Sequence, residues 1–212
     1  MHKEVRILVA DDHEIVRMGI LRMIEKLKPK AQLFEAKDYP SLYDMITKET
    51  FDLAIIDVNM PNGSFQEAVN FINLKQPELK ILVFSSQDEQ LYALRYLKMG
   101  ANGYLNKEAS ESKIDTALNA MLENGRYISE AVKDAMLMAT LNEQNKGSGI
   151  EALSDRELQI ANELVKGIPV KEISNILNLH TSTISTYKNR VFEKLDIKSI
   201  PELVEIIKLY NE

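Results

Sequence analysis

Five short runs rich in aliphatic and β-branched residues alternate with five helical patterns over the first 124 residues, and this alternation constrains the chain most. VRILVA (5–10), AQLFEA (31–36), FDLAIIDV (51–58), KILVFSS (80–86) and NGYLN (102–106) read as strands. Between them, IVRMGILRMIEKL (15–27), PSLYDMITK (40–48), FQEAVNFINLK (65–75), EQLYALRYLKM (89–99) and SKIDTALNAMLEN (112–124) carry helical periodicity. Strands separated by helices must run parallel and connect by right-handed crossovers. The expected fold is therefore α/β, a doubly wound five-stranded parallel sheet with helices on both faces. LAIIDV is almost continuously apolar, as a strand covered on both faces should be.

The texture changes near residue 145. EAVKDAMLMATLNEQ (130–144) reads as one connecting helix, and NKGSG (145–149) as flexible linker. Only helical patterns follow: SDRELQIANELVKG, VKEISNILN, TSTISTYKNRVFEKL and IPELVEIIKLY. Two domains are expected, 1–128 and 150–212, joined by a linker helix and flexible linker over 129–149. The chain has no cysteine, which excludes disulfides, thiolate metal sites and cysteine nucleophiles and suits a reducing cytoplasm. No apolar run approaches the roughly 20 residues that cross a bilayer, so no membrane role is expected. The net charge is −6, and from Ile150 onward eight Lys and Arg face ten Asp and Glu. Nucleic-acid binding would have to rest on a local patch.

In open α/β sheets, ligands collect beyond the carboxyl ends of the strands, where strand order reverses. Asp11 and Asp12 end the first strand and Asp57 the third, which are neighbours in a flavodoxin-like order. Three converging carboxylates repel one another, and a hard cation such as Mg²⁺ relieves that repulsion. Asp57 could also act as a nucleophile and become an aspartyl phosphate. Ser85 and Lys107, at two further strand ends, bring a hydroxyl and a positive charge to the same crevice. Together the five residues make a phosphoryl-accepting pocket.

These residues carry a resemblance. Residues 5 to about 128 resemble the receiver domain of bacterial two-component response regulators, through VADDHE, IIDVNMP, FSS and GANGYLNK. The resemblance implies that a sensor histidine kinase phosphorylates Asp57. It also implies Mg²⁺ bound by Asp12, Asp57 and the Asn59 carbonyl, with Asp11 acting through water. Ser85 and Lys107 would contact the phosphoryl group, and Tyr104 would change position with Ser85. One departure stands out: Phe65 occupies the place of a glycine after Met60-Pro61, which puts the loop geometry in question. His13 and His2 are expected to be solvated rather than metal ligands, and Met136 and Met138 to belong to the connecting helix without a cofactor.

In TSTISTYKNRVFEKL, Ile184, Val191 and Leu195 share one helix side with Tyr187 and Phe192 flanking it, so this side should be packed. Ser182, Ser185, Thr186, Asn189 and, at the edge, Arg190 face the opposite way. Short polar side chains suit close approach to base edges and phosphates. VKEISNILN and the turn LHT before it complete a helix-turn-helix. From this pattern alone a generic surface helix stands almost level with a DNA reader. Residues 152 to about 206 resemble the LuxR-type domain of the NarL class, through LSDRELQI, VKGIPVKEIS, ILNLHTSTISTYKNRVFEKL and LDIKSIPELV. The STYK wording is similar to the BvgA/EvgA-like branch, with Tyr187 where most of the family has His. The resemblance implies contacts to double-stranded promoter DNA from Ser182, Thr183, Ser185, Thr186, Lys188, Asn189, Arg190 and Lys194. It also implies a homodimer when phosphorylated, with RNA polymerase a further partner. His180 replaces the usual capping Ser or Thr, and Thr181 is expected to cap instead, shifting the first turn by a residue.

The reading is a phosphorylation-controlled transcription factor, not an enzyme, with dimerisation and release of the C-terminal domain both open as outputs. Its rivals are a Mg²⁺-dependent phosphatase and a pure protein-interaction module. The first lacks a second acid two residues after Asp57, where Asn59 stands.

Overall fold

The structure, a computed structural model, describes residues 4–141 and 149–211. It divides into two compact units, Met1–Ala139 and Thr140–Glu212. Among the described residues, no helix is long and apolar enough to cross a membrane. The NKGSG linker, apart from Gly149, lies outside the described residues, as do positions 142–144 of the expected connecting helix.

In the first unit, strands β1 (Arg6–Ala10), β2 (Gln32–Ala36), β3 (Leu53–Ile56), β4 (Lys80–Ser85) and β5 (Gly103–Asn106) form one parallel sheet in the order β2-β1-β3-β4-β5. Helices α1 (Glu14–Leu27), α2 (Tyr39–Lys48), α3 (Phe65–Lys75), α4 (Glu89–Lys98) and α5 (Glu111–Asn124) make the crossovers. The strand order reverses between β1 and β3, as expected, and this opens the ligand crevice between their carboxyl ends. Alternation along the strands divides the core. Ile7, Val9, Leu53, Ile55, Leu82, Phe84 and Leu105 pack with Ile20 and Ile24 of α1 and Ile114 and Leu118 of α5. Leu8, Ala54, Ile56, Ile81 and Val83 are equally buried and face the α2–α4 side.

Short polar residues start α2 to α5, whereas α1 begins at His13 without a side-chain cap bond. Asp38 and Ser41 cap α2 reciprocally, and Ser64, Asp88 and Ser110 each accept a backbone N–H at the starts of α3, α4 and α5. Gly125, in the left-handed region at φ 68°, ends α5. The chain then runs beside β5: Tyr127 pairs with Gly103, and its N–H donates to the Asn102 carbonyl at 3.1 Å. A β-carbon at Gly103 would meet the Tyr127 carbonyl oxygen at 2.9 Å, so only glycine permits this approach. Helix α6 (Glu130–Leu141) starts here, with Val132 buried against the first unit.

The second unit opens on a single 3₁₀ turn, Ile150–Ala152, followed by α7 (Asp155–Val165), α8 (Val170–Ile176), α9 (Thr181–Lys194) and α10 (Ile200–Asn211). Ser154 and Glu157 form a capping box at the start of α7. Between α8 and α9, Asn178 takes a left-handed conformation, φ 50°, and the Leu179 N–H donates to the Ser174 carbonyl at 2.9 Å. That turn sets the two helices in the helix-turn-helix arrangement. Leu158, Ile160, Ala161, Leu164, Ile173, Ile184, Val191 and Leu203 form the core.

One expectation fails here. Thr181 does not cap α9; it is the first helical residue, and His180 holds the N-cap position without a side-chain hydrogen bond. The Leu177–His180 turn fixes the register, so His180 already has the extended cap conformation, φ −68° and ψ 145°. Replacing it with a short hydroxyl supplies the missing acceptor. His180→Ser is expected to stabilise this unit by about 1 kcal/mol, read as a rise in its thermal midpoint of about 4–8 °C for a unit of this size.

Candidate functional site

Backbone bonds beyond the strand ends deliver the first site. Asp11 N donates to the Ala36 carbonyl (3.1 Å), Asp57 N to Ala10 (2.8 Å) and Lys107 N to Ser85 (2.8 Å). The ladder thus extends one step past each strand and carries three side chains to one edge. Lys107 Nζ lies 2.7 Å from Asp11 Oδ2 and 2.8 Å from Asp57 Oδ2. Asp11 is 1% and Asp57 2% exposed, while the Lys107 side chain is 14% exposed. Two buried carboxylates therefore share one ammonium.

The crowding shows in the titration of Asp57 and Lys107. Burial pushes the Asp57 carboxyl above its ordinary range; hydrogen bonding and charge from Lys107, with the Asn59 N–H, oppose the rise, and Asp11 adds to it. Burial alone would lower the Lys107 ammonium, but hydrogen bonds to Asp11 and Asp57 outweigh it and hold the amine protonated. Asn59 N donates to Asp57 Oδ1 at 3.1 Å, which brings its backbone to the pocket. Asp12 sits at the rim with 30% of its side chain exposed, and His13 Nδ1 lies 2.7 Å from its Oδ1. Oxygens of Asp11, Asp12 and Asp57 and a nitrogen of His13 all fall within 4.8 Å of one another, a donor set that could hold a metal ion. Oxygen donors with one open side fit a hard, partly hydrated divalent cation.

Ser85 is fully buried at the end of β4, and its Oγ accepts the Gln87 N–H at 3.2 Å. Gln87 gathers this side of the crevice. Its carbonyl accepts the Tyr104 hydroxyl (2.8 Å) and Asn106 Nδ2 (3.0 Å), and its side-chain oxygen accepts the Tyr96 hydroxyl (3.0 Å). Tyr104 is buried, which raises its hydroxyl pKa; a hydrogen bond with Ser85 opposes the rise. Nothing in the sequence signals Gln87, because its partners come from β4, α4 and β5.

Phe65 is the first residue of α3, buried edge-on against the Tyr96 ring with centroids 5.2 Å apart. The tight turn comes earlier, at Asn62 (φ 63°) and Gly63. A β-carbon on Gly63 would meet Tyr39 carbons at 2.6–2.9 Å. The glycine requirement has moved two residues upstream, and Phe65 is free to pack.

The second candidate surface is the outer side of α9. Ser182, Ser185, Thr186, Asn189, Arg190 and Lys194 are exposed, Thr183 and Lys188 half-buried, and Ile184, Val191 and Leu195 face the core. The Ser185 and Thr186 hydroxyls donate to the Thr181 and Ser182 carbonyls at 3.0 Å, which leaves their oxygens turned outward as acceptors. Lys188 Nζ lies over the Phe192 ring (5.2 Å) and the Arg190 guanidinium over Tyr187 (5.8 Å), so flanking aromatics steer both cations. Lys194 differs: its Nζ is 2.6 Å from Glu157 Oε2, which also accepts the Ser154 N–H at 2.7 Å. This ion pair ties α7 to α9.

Burial would raise the Glu157 carboxyl, but hydrogen bonds from Lys194 and Ser154 outweigh it and the carboxyl falls below its ordinary range. A depressed carboxyl stabilises above its unfolded pKa, and that contribution disappears as pH falls through the folded value. Glu157→Gln is expected to cost the unit about 1.5–3 kcal/mol at neutral pH. The difference from wild type should shrink in acid, as followed by the thermal midpoint of this unit against pH.

Comparison with known proteins bears on both regions. Residues 7–119 match the response regulator receiver domain, and residues 151–207 match the bacterial regulatory proteins of the luxR family. The chain is 31% identical over 202 residues to the response regulator UvrY of Escherichia coli, covering 95% of this chain and 93% of that one. It is also 31% identical over 199 residues to the response regulator GacA of Pseudomonas aeruginosa, covering 94% and 93%. Among solved structures it is similar to RcsB from Salmonella enterica serovar Typhimurium bound to promoter rprA in the presence of a phosphomimetic. That match has a TM-score of 0.61, 23% identity and coverage of 97% and 99%. An RcsB–DNA complex matches with a TM-score of 0.57 and the same identity, covering 97% and 98%. At these identities the structural likeness shows the fold.

Proposed function

The chain belongs to the bacterial response regulators that join a receiver domain to a LuxR-type regulatory domain, and from that premise we propose a DNA-binding regulator switched by a phosphoryl group on Asp57. One observation carries this reading: two buried carboxylates on neighbouring strand ends share the single Lys107 ammonium. Residues 1–128 act as the receiver, 129–149 as the link and 150–212 as the DNA-binding domain. The setting is the cytoplasm, where a sensor histidine kinase donates the phosphoryl group.

An Asp57 oxygen attacks phosphorus, an O–P bond forms, and the P–N bond to the kinase histidine breaks, with the electron pair leaving on the imidazole. Asp12, Asp57 and the Asn59 carbonyl, with Asp11 acting through water, would hold Mg²⁺, whose positive charge would stabilise the phosphoryl oxygens. The new group carries close to two negative charges. Lys107 exchanges a carboxylate partner for a phosphoryl oxygen, and the Ser85 hydroxyl leaves Gln87 to donate to another. Gln87 also holds Tyr104, Asn106 and Tyr96, so its release biases the β4–α4 region and the face of β5. Asn59 stands where a phosphatase of external substrates would need a second acid, so the only turnover proposed is loss of the protein's own phosphoryl group to water.

The output is sequence-specific binding of double-stranded promoter DNA by a phosphorylation-promoted homodimer, with RNA polymerase the partner at the promoter. RcsB bound to promoter DNA with a phosphomimetic, and RcsB dimers on DNA, support this output. Ser182, Thr183, Ser185, Thr186, Lys188, Asn189 and Arg190 form the reading face, and Lys194 holds that helix against Glu157 at its edge. The test selects bound fragments from genomic DNA and compares the variant on them. Asn189→Ala should weaken binding to the selected sequence by about 1–3 kcal/mol and leave random DNA nearly unchanged. Equal loss on both would remove Asn189 from base reading.

A further inference from the structure

We propose that Arg17 is a positioning residue for the phosphorylation pocket: its guanidinium bridges Glu35 and the Asp11 carbonyl, and so fixes the backbone that carries Asp12. The inference rests on the reading that Asp12 and Asp57 bind Mg²⁺ directly. Helical periodicity marks Arg17 only as part of α1. In the structure its side chain is 13% exposed and donates from two separate nitrogens. Nε donates to Glu35 Oε2 on β2 at 2.9 Å, and Nη1 donates to the Asp11 carbonyl at 2.7 Å. The backbone closes the same corner, because the Arg17 N–H donates to the His13 carbonyl at 2.9 Å.

Asp12 needs this support more than its neighbours do. Asp11 and Asp57 are buried and share Lys107. Each also accepts a backbone N–H, from His13 at 2.8 Å and from Asn59 at 3.1 Å. Among the described residues, the Asp12 carboxylate pairs only with the His13 ring, which is itself 65% exposed. Its place is therefore set by the chain, through the peptide that joins Asp11 to Asp12. Arg17 holds the carbonyl of that peptide, and Glu35 holds the guanidinium against the end of β2. A planar fork with donors in fixed directions serves both points at once. A lysine ammonium on a flexible stem lacks that geometry.

Calorimetric titration of the full-length protein with Mg²⁺ tests this on wild type, Arg17→Met and Arg17→Lys. Charge and positioning predict opposite signs for Arg17→Met. The substitution removes a positive charge beside the pocket and leaves Glu35 unneutralised, so Coulomb attraction alone would tighten Mg²⁺ binding. Lost positioning weakens it, because groups that orient metal ligands typically account for about 10–100-fold in affinity. Arg17→Met should therefore bind Mg²⁺ about tenfold more weakly. Arg17→Lys keeps the charge and should lose affinity in the same direction; it decides alone if Arg17→Met does not fold. With a small phosphoryl donor, the Mg²⁺ concentration for half-maximal adduct formation should rise in step with the dissociation constant. The rate at saturating Mg²⁺ should stay near that of wild type. Tighter or unchanged Mg²⁺ binding in Arg17→Met would overturn the proposal, whatever happens to its thermal midpoint. Wild-type affinity in Arg17→Lys would overturn the two-point bridge, and so would a slower saturated rate with no change in half-maximal Mg²⁺. If wild type binds no Mg²⁺, the pocket reading falls, and this one with it.

Discussion

Incubated with Mg²⁺ and a small phosphoryl donor, the wild-type protein should gain one phosphoryl adduct by intact mass, and Asp57→Asn none. The variant makes a clean comparison because its loss would not come from unfolding. Burial raises the Asp57 carboxyl above its ordinary range. A group whose folded pKa is raised contributes stability below its unfolded value and loses it as pH rises through the folded one. At neutral pH the ionised Asp57 is thus a net cost to the receiver, and a neutral isostere removes that cost. Asp57→Asn should therefore unfold at the wild-type midpoint or above it while accepting no phosphate. The same pair tests output. Coupling between two sites of a regulatory protein is typically about 1–3 kcal/mol, or roughly 5–150-fold. Phosphorylated wild type should bind its selected promoter fragment more tightly by a factor in that range. The variant should bind equally with and without the donor. An adduct on Asp57→Asn would move the acceptor to another residue. An adduct on wild type without any gain in affinity would confine the switch to the receiver.

Much of this arrangement is legible in the chain, for identifiable reasons. Strand ends are local features, so Asp11, Asp57 and Lys107 can be placed from the point at which an apolar run stops. Parallel connectivity gives the sheet, a flavodoxin-like strand order makes β1 and β3 neighbours, and that adjacency brings those residues together. The buried side of α9 is equally plain, because Ile184, Val191 and Leu195 repeat at helical spacing. What the chain hides depends on meetings between distant elements. Gln87 joins Ser85, Tyr96 and Tyr104 only because β4, α4 and β5 converge. Lys194 reads as a cation beside a DNA-facing surface, yet its ammonium reaches Glu157, 37 residues earlier. Phe65 looks like a disturbed turn until Tyr96 is found beneath it and the strained position at Asn62. The cap on α9 fails to move to Thr181 because the preceding turn, rather than the best capping residue, decides where the helix starts.

Lys107 offers the largest effect on stability. It is the only cation within ion-pair distance of both buried carboxylates among the described residues, and Lys107→Ala leaves Asp11 and Asp57 without it. Removing one partner of a buried ion pair typically costs about 3–5 kcal/mol, because the remaining charge stays desolvated. For a receiver unit of this size, the thermal midpoint should fall on the order of 10 °C or more. The pH dependence separates this cause from a packing defect. Without the ammonium, burial acts on Asp57 with less opposition and its carboxyl rises further. The penalty therefore fades as pH falls and Asp57 takes up a proton. In wild type the raised Lys107 amine stabilises below its unfolded pKa, and that contribution is lost as pH rises through the folded value. The gap between the two proteins should be widest near neutrality and narrow toward both extremes, whereas a lost methylene stem would give a gap independent of pH. Mg²⁺ should restore part of the variant's stability, because a divalent cation brings positive charge to the same oxygens. Wild type should gain less from Mg²⁺ than the variant does. An unchanged midpoint in Lys107→Ala would mean that the fold tolerates two unpaired carboxylates at this edge, and charge repulsion would then no longer explain why the pocket should bind a cation.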